Sequence, residues 1–152
     1  MIIEVLLVED SPTQAQHLET LLFNSIIDFN LTKAVSIKEC LELLKINKYH
    51  IILLDLTLPN SIGIATVEVL QKNISDTPFI VVTQLEESDI DLQAIAKGAQ
   101  DCLFKNDINS YNLIKSIRLA IERHKVRKLY EPLNYSTIKI TDTIDKIKQL
   151  TK

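Results

Sequence analysis

The sequence predicts an α/β fold, a doubly wound parallel sheet with helices on both faces. Three observations carry this. First, there are five short, mostly apolar runs: Ile2–Val8, Leu31–Val35, Ile51–Leu54, Phe79–Thr83 and Cys102–Phe104. Their apolarity is nearly continuous rather than alternating, as in strands covered on both sides. Second, longer stretches with apolar residues at helical spacing separate them, the signature of successive β-α units. Third, residues with chemistry to offer stand at or just after the ends of the runs. An open α/β sheet keeps its ligand site at those carboxyl ends.

Each element has a local reason. Ile2–Val8 contains Glu4 and no small-residue cleavage site. It is too short to span a bilayer or act as a signal, so it reads as a buried strand. The first helix places Leu18, Leu21, Leu22 and Ile26 at helical spacing; Ser11 can cap it, and Pro12 fits its first position. Cys40, Leu41, Leu43 and Leu44 mark the second helix. Ile64, Val67 and Leu70 mark the third, and Ile90, Ile95 and Ala96 the fourth. The fifth carries Leu113, Ile114, Ile117, Ala120 and Ile121, with Ser110 as its expected cap. It is expected to reach Tyr130 and stop before Pro132, which disfavours helix at Glu131. Beyond it lie a short alternation, Ile138–Ile140, and an expected short helix from Asp142 with Ile144, Ile147 and Leu150 on one side.

The 152 residues suit one domain, and 46% hydrophobic content is enough for a sizeable core. A net charge of −3 gives no general attraction to nucleic acid or to anionic membranes. Cys40 and Cys102 lack metal-ligand spacing and are too few for a disulfide framework. They read as reduced thiols of a cytoplasmic protein. Arg118, Arg123, His124, Lys125, Arg127 and Lys128 read as a solvated helix end favoured by the macrodipole, with no recognition motif for nucleic acid beside them. Leu119, Val126 and Leu133 recur at intervals of seven with Leu129 between the last two, the start of a possible homodimer seam or of local packing by the tail.

One sheet edge would gather Glu9, Asp10, Asp55, Thr83 and Lys105. Three carboxylates at close range repel, and a divalent cation resolves the repulsion. Mg²⁺ suits this set because it prefers hard oxygen ligands and often shares them with phosphate. Lys105 adds a second positive charge and Thr83 a hydroxyl. This inventory suits phosphoryl transfer, in which catalysis is mostly positioning and cation stabilisation. Asp55 would be the nucleophile and carry an aspartyl phosphate.

Val8-Glu9-Asp10-Ser11-Pro12, Leu54-Asp55-Leu56-Thr57-Leu58-Pro59 with Gly63, Val82-Thr83, and Gly98-Ala99-Gln100-Asp101 with Lys105 together resemble the response-regulator receiver domain. The resemblance covers roughly Met1 to Arg123. It implies a five-stranded parallel sheet in the flavodoxin-like order 2-1-3-4-5, with a C-terminal helical extension. The domain is expected over residues 1–125. Residues 126–152 are expected to be the extension, too short for a separate output domain. It implies that Asp55 takes a phosphoryl group from a sensor histidine kinase or phosphotransfer protein. Asp10 would bind Mg²⁺ directly, Glu9 through water, and Asp55 and the Thr57 backbone carbonyl would complete the protein ligands. Movement of Thr83 would change the face formed by the fourth helix, fifth strand and fifth helix, where a downstream protein would bind. No metabolic activity is implied, only self-phosphorylation and autodephosphorylation.

Three positions depart from the family pattern. Cys102 stands where a switch aromatic is usual, which predicts weaker or rerouted coupling to the output face. Gln84 stands where a small residue is usual, which predicts slower exchange with small phosphodonors. Asn106 replaces a common proline, so a trans peptide is expected after Lys105. Two other readings compete: a receiver-like binding module that works without phosphate, and a haloacid-dehalogenase-type phosphohydrolase. The second places its nucleophile after the first strand, unlike Asp55.

Overall fold

Three strands have little or no solvent face. β1 (Ile3–Val8) is buried except at Glu4, while β3 (Ile51–Leu54) and β6 (Phe79–Thr83) are buried throughout. Strands of this kind need cover on both sides and form the middle of a sheet. The computed structural model describes residues 1–74, 76–85 and 87–150, with the backbone alone over 132–142. Its five-stranded parallel sheet has the order β2-β1-β3-β6-β7, with β2 (Phe29–Ala34) and β7 (Cys102–Phe104) at the edges. Counting these strands alone, the order is the expected 2-1-3-4-5.

Alternating side chains divide the core into two layers. Leu6, Val8, Ile52, Leu54, Phe79 and Val81 face α2 (Ile37–Ile46), α3 (Ile64–Asn73) and α4 (Ile90–Ala96). Val5, Leu7, Ile51, Leu53, Ile80 and Val82 face α1 (Pro12–Phe23) and α5 (Ser110–Leu150). Ser11 caps α1 and Pro12 occupies its first turn, as expected.

Several boundaries differ from the sequence reading. β2 begins earlier, at Phe29, whose side chain is buried under the α1 layer. α1 ends at an Asn24 cap, so Ile26 lies beyond the helix and is fully exposed. In α4 the buried residues are Ile90 and Ala94, one helical turn apart, while Ile95 and Ala96 turn outward. The cap of α5 is Asn109, whose Oδ1 accepts from the Asn112 N–H at 2.8 Å. Asn at that position satisfies a first-turn donor as well as Ser110 would have done.

The expected stop before Pro132 does not occur, since α5 runs from Ser110 to Leu150. A proline inside a helix costs about 3 kcal/mol, and the residues before it, Lys125 to Glu131, include good helix formers such as Lys128, Leu129 and Glu131. The separate helix from Asp142 and the Ile138–Ile140 alternation are therefore parts of α5, and the side chains of Leu133 and 138–140 lie outside the description. The basic stretch is mid-helix and not a terminus, so the macrodipole does not explain it. Instead Lys125 pairs with Glu122 at 3.2 Å and Arg127 with Glu131 at 3.1 Å, at helical i,i+3 and i,i+4 spacing.

The chain divides into two units, Met1–Ile121, which contains the sheet, and Glu122–Lys152, helical over its described residues. Among the described residues no helix is long and apolar enough to cross a membrane, and no peptide bond is cis, Lys105–Asn106 included.

Leu53 is fully buried beneath the α1 and α5 layer. Leu53→Ala is expected to lower unfolding free energy by about 2–5 kcal/mol through lost burial and a residual cavity. Urea titration checks this as a lower midpoint at unchanged slope.

Candidate functional site

Strand register builds the site. Val8 pairs with Ala34 on one side and with Leu54 on the other, and Val81 pairs with both Leu54 and Cys102. The carboxyl ends of the strands are therefore level. Glu9 follows β1, Asp55 follows β3, Thr83 ends β6, and Lys105 follows β7. Backbone bonds hold the exits in line: the Glu9 N–H donates to Ala34 O at 2.9 Å, the Asp55 N–H to Val8 O at 3.0 Å, and the Lys105 N–H to Thr83 O at 2.9 Å.

One carboxylate oxygen from each of Glu9, Asp10 and Asp55 lies within 4.8 Å of the other two. Glu9 and Asp55 are buried and Asp10 is exposed. Asp55 Oδ1 accepts from the Leu56 N–H at 2.9 Å, and Oδ2 accepts from the Thr57 hydroxyl at 3.1 Å. The Lys105 ammonium, with a side chain only 6% exposed, is 2.6 Å from Glu9 Oε2 and 3.5 Å from Asp55 Oδ1. One cation among three carboxylates leaves a net negative cluster. Burial pushes the Glu9 carboxyl above its ordinary value; the Lys105 hydrogen bond opposes the rise and the Asp55 charge adds to it. A donor set of hard oxygens with surplus negative charge fits Mg²⁺.

A short hairpin follows Asp55, formed by β4 (Thr57–Leu58) and β5 (Ser61–Ile62). The sequence reading had no such element, although Pro59-Asn60 is a turn pair. Proline's fixed φ suits the first corner, and Asn60 takes φ 63° at the second. Gly63 closes the segment at φ 72°, its N–H donating to Leu56 O at 2.7 Å. Thr57 thus sits beside Asp55, on a segment pinned at both ends.

Thr83 is buried, and its hydroxyl accepts from the Leu85 N–H at 3.1 Å. Its register partner is Phe104. Cys102 packs into the layer with α2, α3 and α4, and its N–H donates to Asp101 Oδ1 at 2.8 Å. The other Asp101 oxygen accepts from the Ser116 hydroxyl at 2.6 Å, tying the start of β7 to α5. Burial, then the Asp91 and Asp101 charges, push the Cys102 thiol up to about 11; burial alone pushes Cys40 up to about 12.

Sequence reasoning missed Gln14. Its Oε1 accepts from Lys105 Nζ, and its Nε2 donates to Gln84 Oε1 at 3.1 Å. Ser11-Pro12-Thr13-Gln14 has the spacing of a capping box, the one signal that singled out this residue. Gln84 itself is exposed and turned toward Gln14.

Comparison with known proteins agrees with this geometry. A family profile described as the response regulator receiver domain matches residues 5–118. The cell cycle transcriptional regulator CtrA of Caulobacter vibrioides is 32% identical over 121 residues, covering 80% of this chain and 51% of that protein. The chain thus spans about half the length of the curated relatives it matches. The receiver domain of Francisella response regulator 1452 is 28% identical with a TM-score of 0.68, covering 80% of this chain and 98% of that one. The receiver domain of a Vibrio parahaemolyticus protein described as a putative Luxo repressor is 29% identical with a TM-score of 0.72, covering 86% and 98%.

Two outcomes test the site's electrostatics. Asp10→Asn removes one of three mutually repelling carboxylates. It is expected to raise the melting temperature by a few degrees in chelator and to abolish the further rise that Mg²⁺ gives, both read by calorimetry. A raised thiol pKa means less thiolate at a given pH. At pH 8 the native protein is therefore expected to leave both cysteines unreactive to Ellman's reagent, with both reacting after denaturation in guanidinium.

Proposed function

The chain belongs to the response regulator receiver domain family, and on that premise we propose that Asp55 accepts a phosphoryl group from a sensor histidine kinase or phosphotransfer protein. The observation that carries the proposal is the placement of Asp55. It is a buried carboxylate at a strand end, 3.5 Å from a buried lysine and within 4.8 Å of two further carboxylates. Such a group is an activated nucleophile in a site built to neutralise developing phosphoryl charge.

The family works in phosphorylation-controlled signalling, which implies a kinase upstream and an effector downstream. In this chain Asp55 would attack the phosphorus while the N–P bond of the donor phosphohistidine breaks. The histidine leaves with the bonding pair, and an aspartyl phosphate forms. Glu9, Asp10, Asp55 and the Thr57 carbonyl would hold Mg²⁺, which supplies positive charge to the phosphoryl oxygens when bound. Lys105 would bind one phosphoryl oxygen through its ammonium, and Thr83 another through its hydroxyl. The chemistry is confined to the chain's own phosphorylation and dephosphorylation.

The output would be protein contact at the face of α4, β7 and α5, with residues 1–125 as the receiver and 126–152 as its extension. In the extension Val126 and Leu129 are exposed, which suits a homodimer seam.

Phosphotransfer from the histidine kinases of the source genome tests the central step. Label is expected on the wild-type chain with Mg²⁺. None is expected on Asp55→Asn, and EDTA should prevent transfer. Equal labelling of Asp55→Asn would move the acceptor elsewhere.

A further inference from the structure

We propose that Gln14 is a positioning residue for Lys105, and that Gln14 and Gln84 form a latch that holds the ammonium in a resting place and slows phosphorylation of Asp55. This rests on the reading of Asp55 as the acceptor.

The N-terminus of α1 departs from the usual reciprocal capping pattern. In a capping box, the glutamine three residues after the cap folds back onto the N–H of the capping serine. Here that N–H is already taken, donating to Glu9 Oε1 at 3.1 Å. Ser11 still accepts from the Gln14 N–H at 3.4 Å, so the helix is capped from one side only. The Gln14 amide is thereby released from its local role and turned across the site.

Both ends of that amide are in use. Oε1 receives a hydrogen bond from Lys105, and Nε2 donates to Gln84, seventy residues away in the chain. Gln84 thus fixes the orientation of an amide whose oxygen faces the ammonium. The consequence shows in the lysine's distances: Glu9 Oε2 is 2.6 Å away, while Asp55 Oδ1 is 3.5 Å away. A full charge-assisted bond is about 2.7–2.9 Å long. To bind a phosphoryl oxygen on Asp55, the ammonium must move away from the resting place that Glu9 and Gln14 define. The Gln14 carbonyl opposes that movement, and Gln84 strengthens the opposition.

The test measures phosphorylation of Asp55 by acetyl phosphate with excess Mg²⁺, on phosphate-affinity gels. In this reaction Asp55 bonds to phosphorus and acetate departs with the electron pair of the broken P–O bond. Gln14→Met keeps the side-chain length and loses both hydrogen bonds; it is expected to react roughly three- to tenfold faster. Gln14→Glu keeps an acceptor for Lys105 and adds charge to it; it is expected to react more slowly than wild type. A merely structural role would move both variants in the same direction, and that result overturns the latch. Gln84→Ala is expected to be faster, and combined with Gln14→Met no faster than Gln14→Met alone, because both break one device.

A second readout does not need phosphate. Proton exchange of the Lys105 ammonium, followed by ¹⁵N NMR, is expected to speed up in Gln14→Met and not in Gln14→Glu. Unchanged exchange in Gln14→Met overturns the latch by itself. If wild type takes no phosphate while exchange behaves as stated, the acceptor reading fails and the positioning of Lys105 stands.

Discussion

A buried ammonium between buried carboxylates sets the terms for everything else at this sheet edge. Desolvating one ion costs several kcal/mol, and the attraction of a partner offsets this only when geometry is good. Lys105 is held by Glu9 at 2.6 Å, and the pair lies almost wholly out of water. Removing Lys105 would leave the Glu9 and Asp55 carboxylates buried without their cation. The site is therefore stable as a set, and a second cation or a phosphoryl group changes the whole set at once. That property suits a switch better than an isolated acidic residue would.

Only a parallel sheet with level strand ends can assemble such a set from residues so far apart in the chain. Glu9, Asp55, Thr83 and Lys105 stand at the ends of four strands, and the pairings Val8 to Leu54, Leu54 to Val81 and Thr83 to Phe104 bring those ends together. A slip of one residue in any pair would carry each side chain to the opposite helix layer and misalign the exits. The apolar residues that fill these two layers therefore stabilise the core and aim the chemistry together.

The sheet was legible because its signal is collective. Runs such as Ile51–Leu54 have no other plausible home, and three of the five expected runs match the observed strands residue for residue. The gathering of Glu9, Asp10 and Asp55 followed from strand ends and needed no side-chain detail. Local competition was harder to read. Ser110 and Asn109 are both good caps, and sequence does not say which wins. Ile26 fits a helical spacing, but α1 had already ended at Asn24. Pro132 is a strong local stop signal, yet α5 continues through it. Gln14 was illegible for a sharper reason. Its partner depended on which oxygen took the Ser11 N–H, and that oxygen belongs to Glu9.

The same register changes how the departure at Cys102 is read. A thiol there removes a ring from the usual place, yet the residue paired directly with Thr83 is Phe104. Phe104 lies two residues beyond Cys102 and packs against the same core layer. It also immediately precedes Lys105, whose N–H bonds to Thr83 O at 2.9 Å. The end of β7 thus carries both the lysine of the site and the aromatic residue in register with Thr83. A coupling of the site to the face of α4, β7 and α5 would therefore have Phe104, as well as position 102, within its reach.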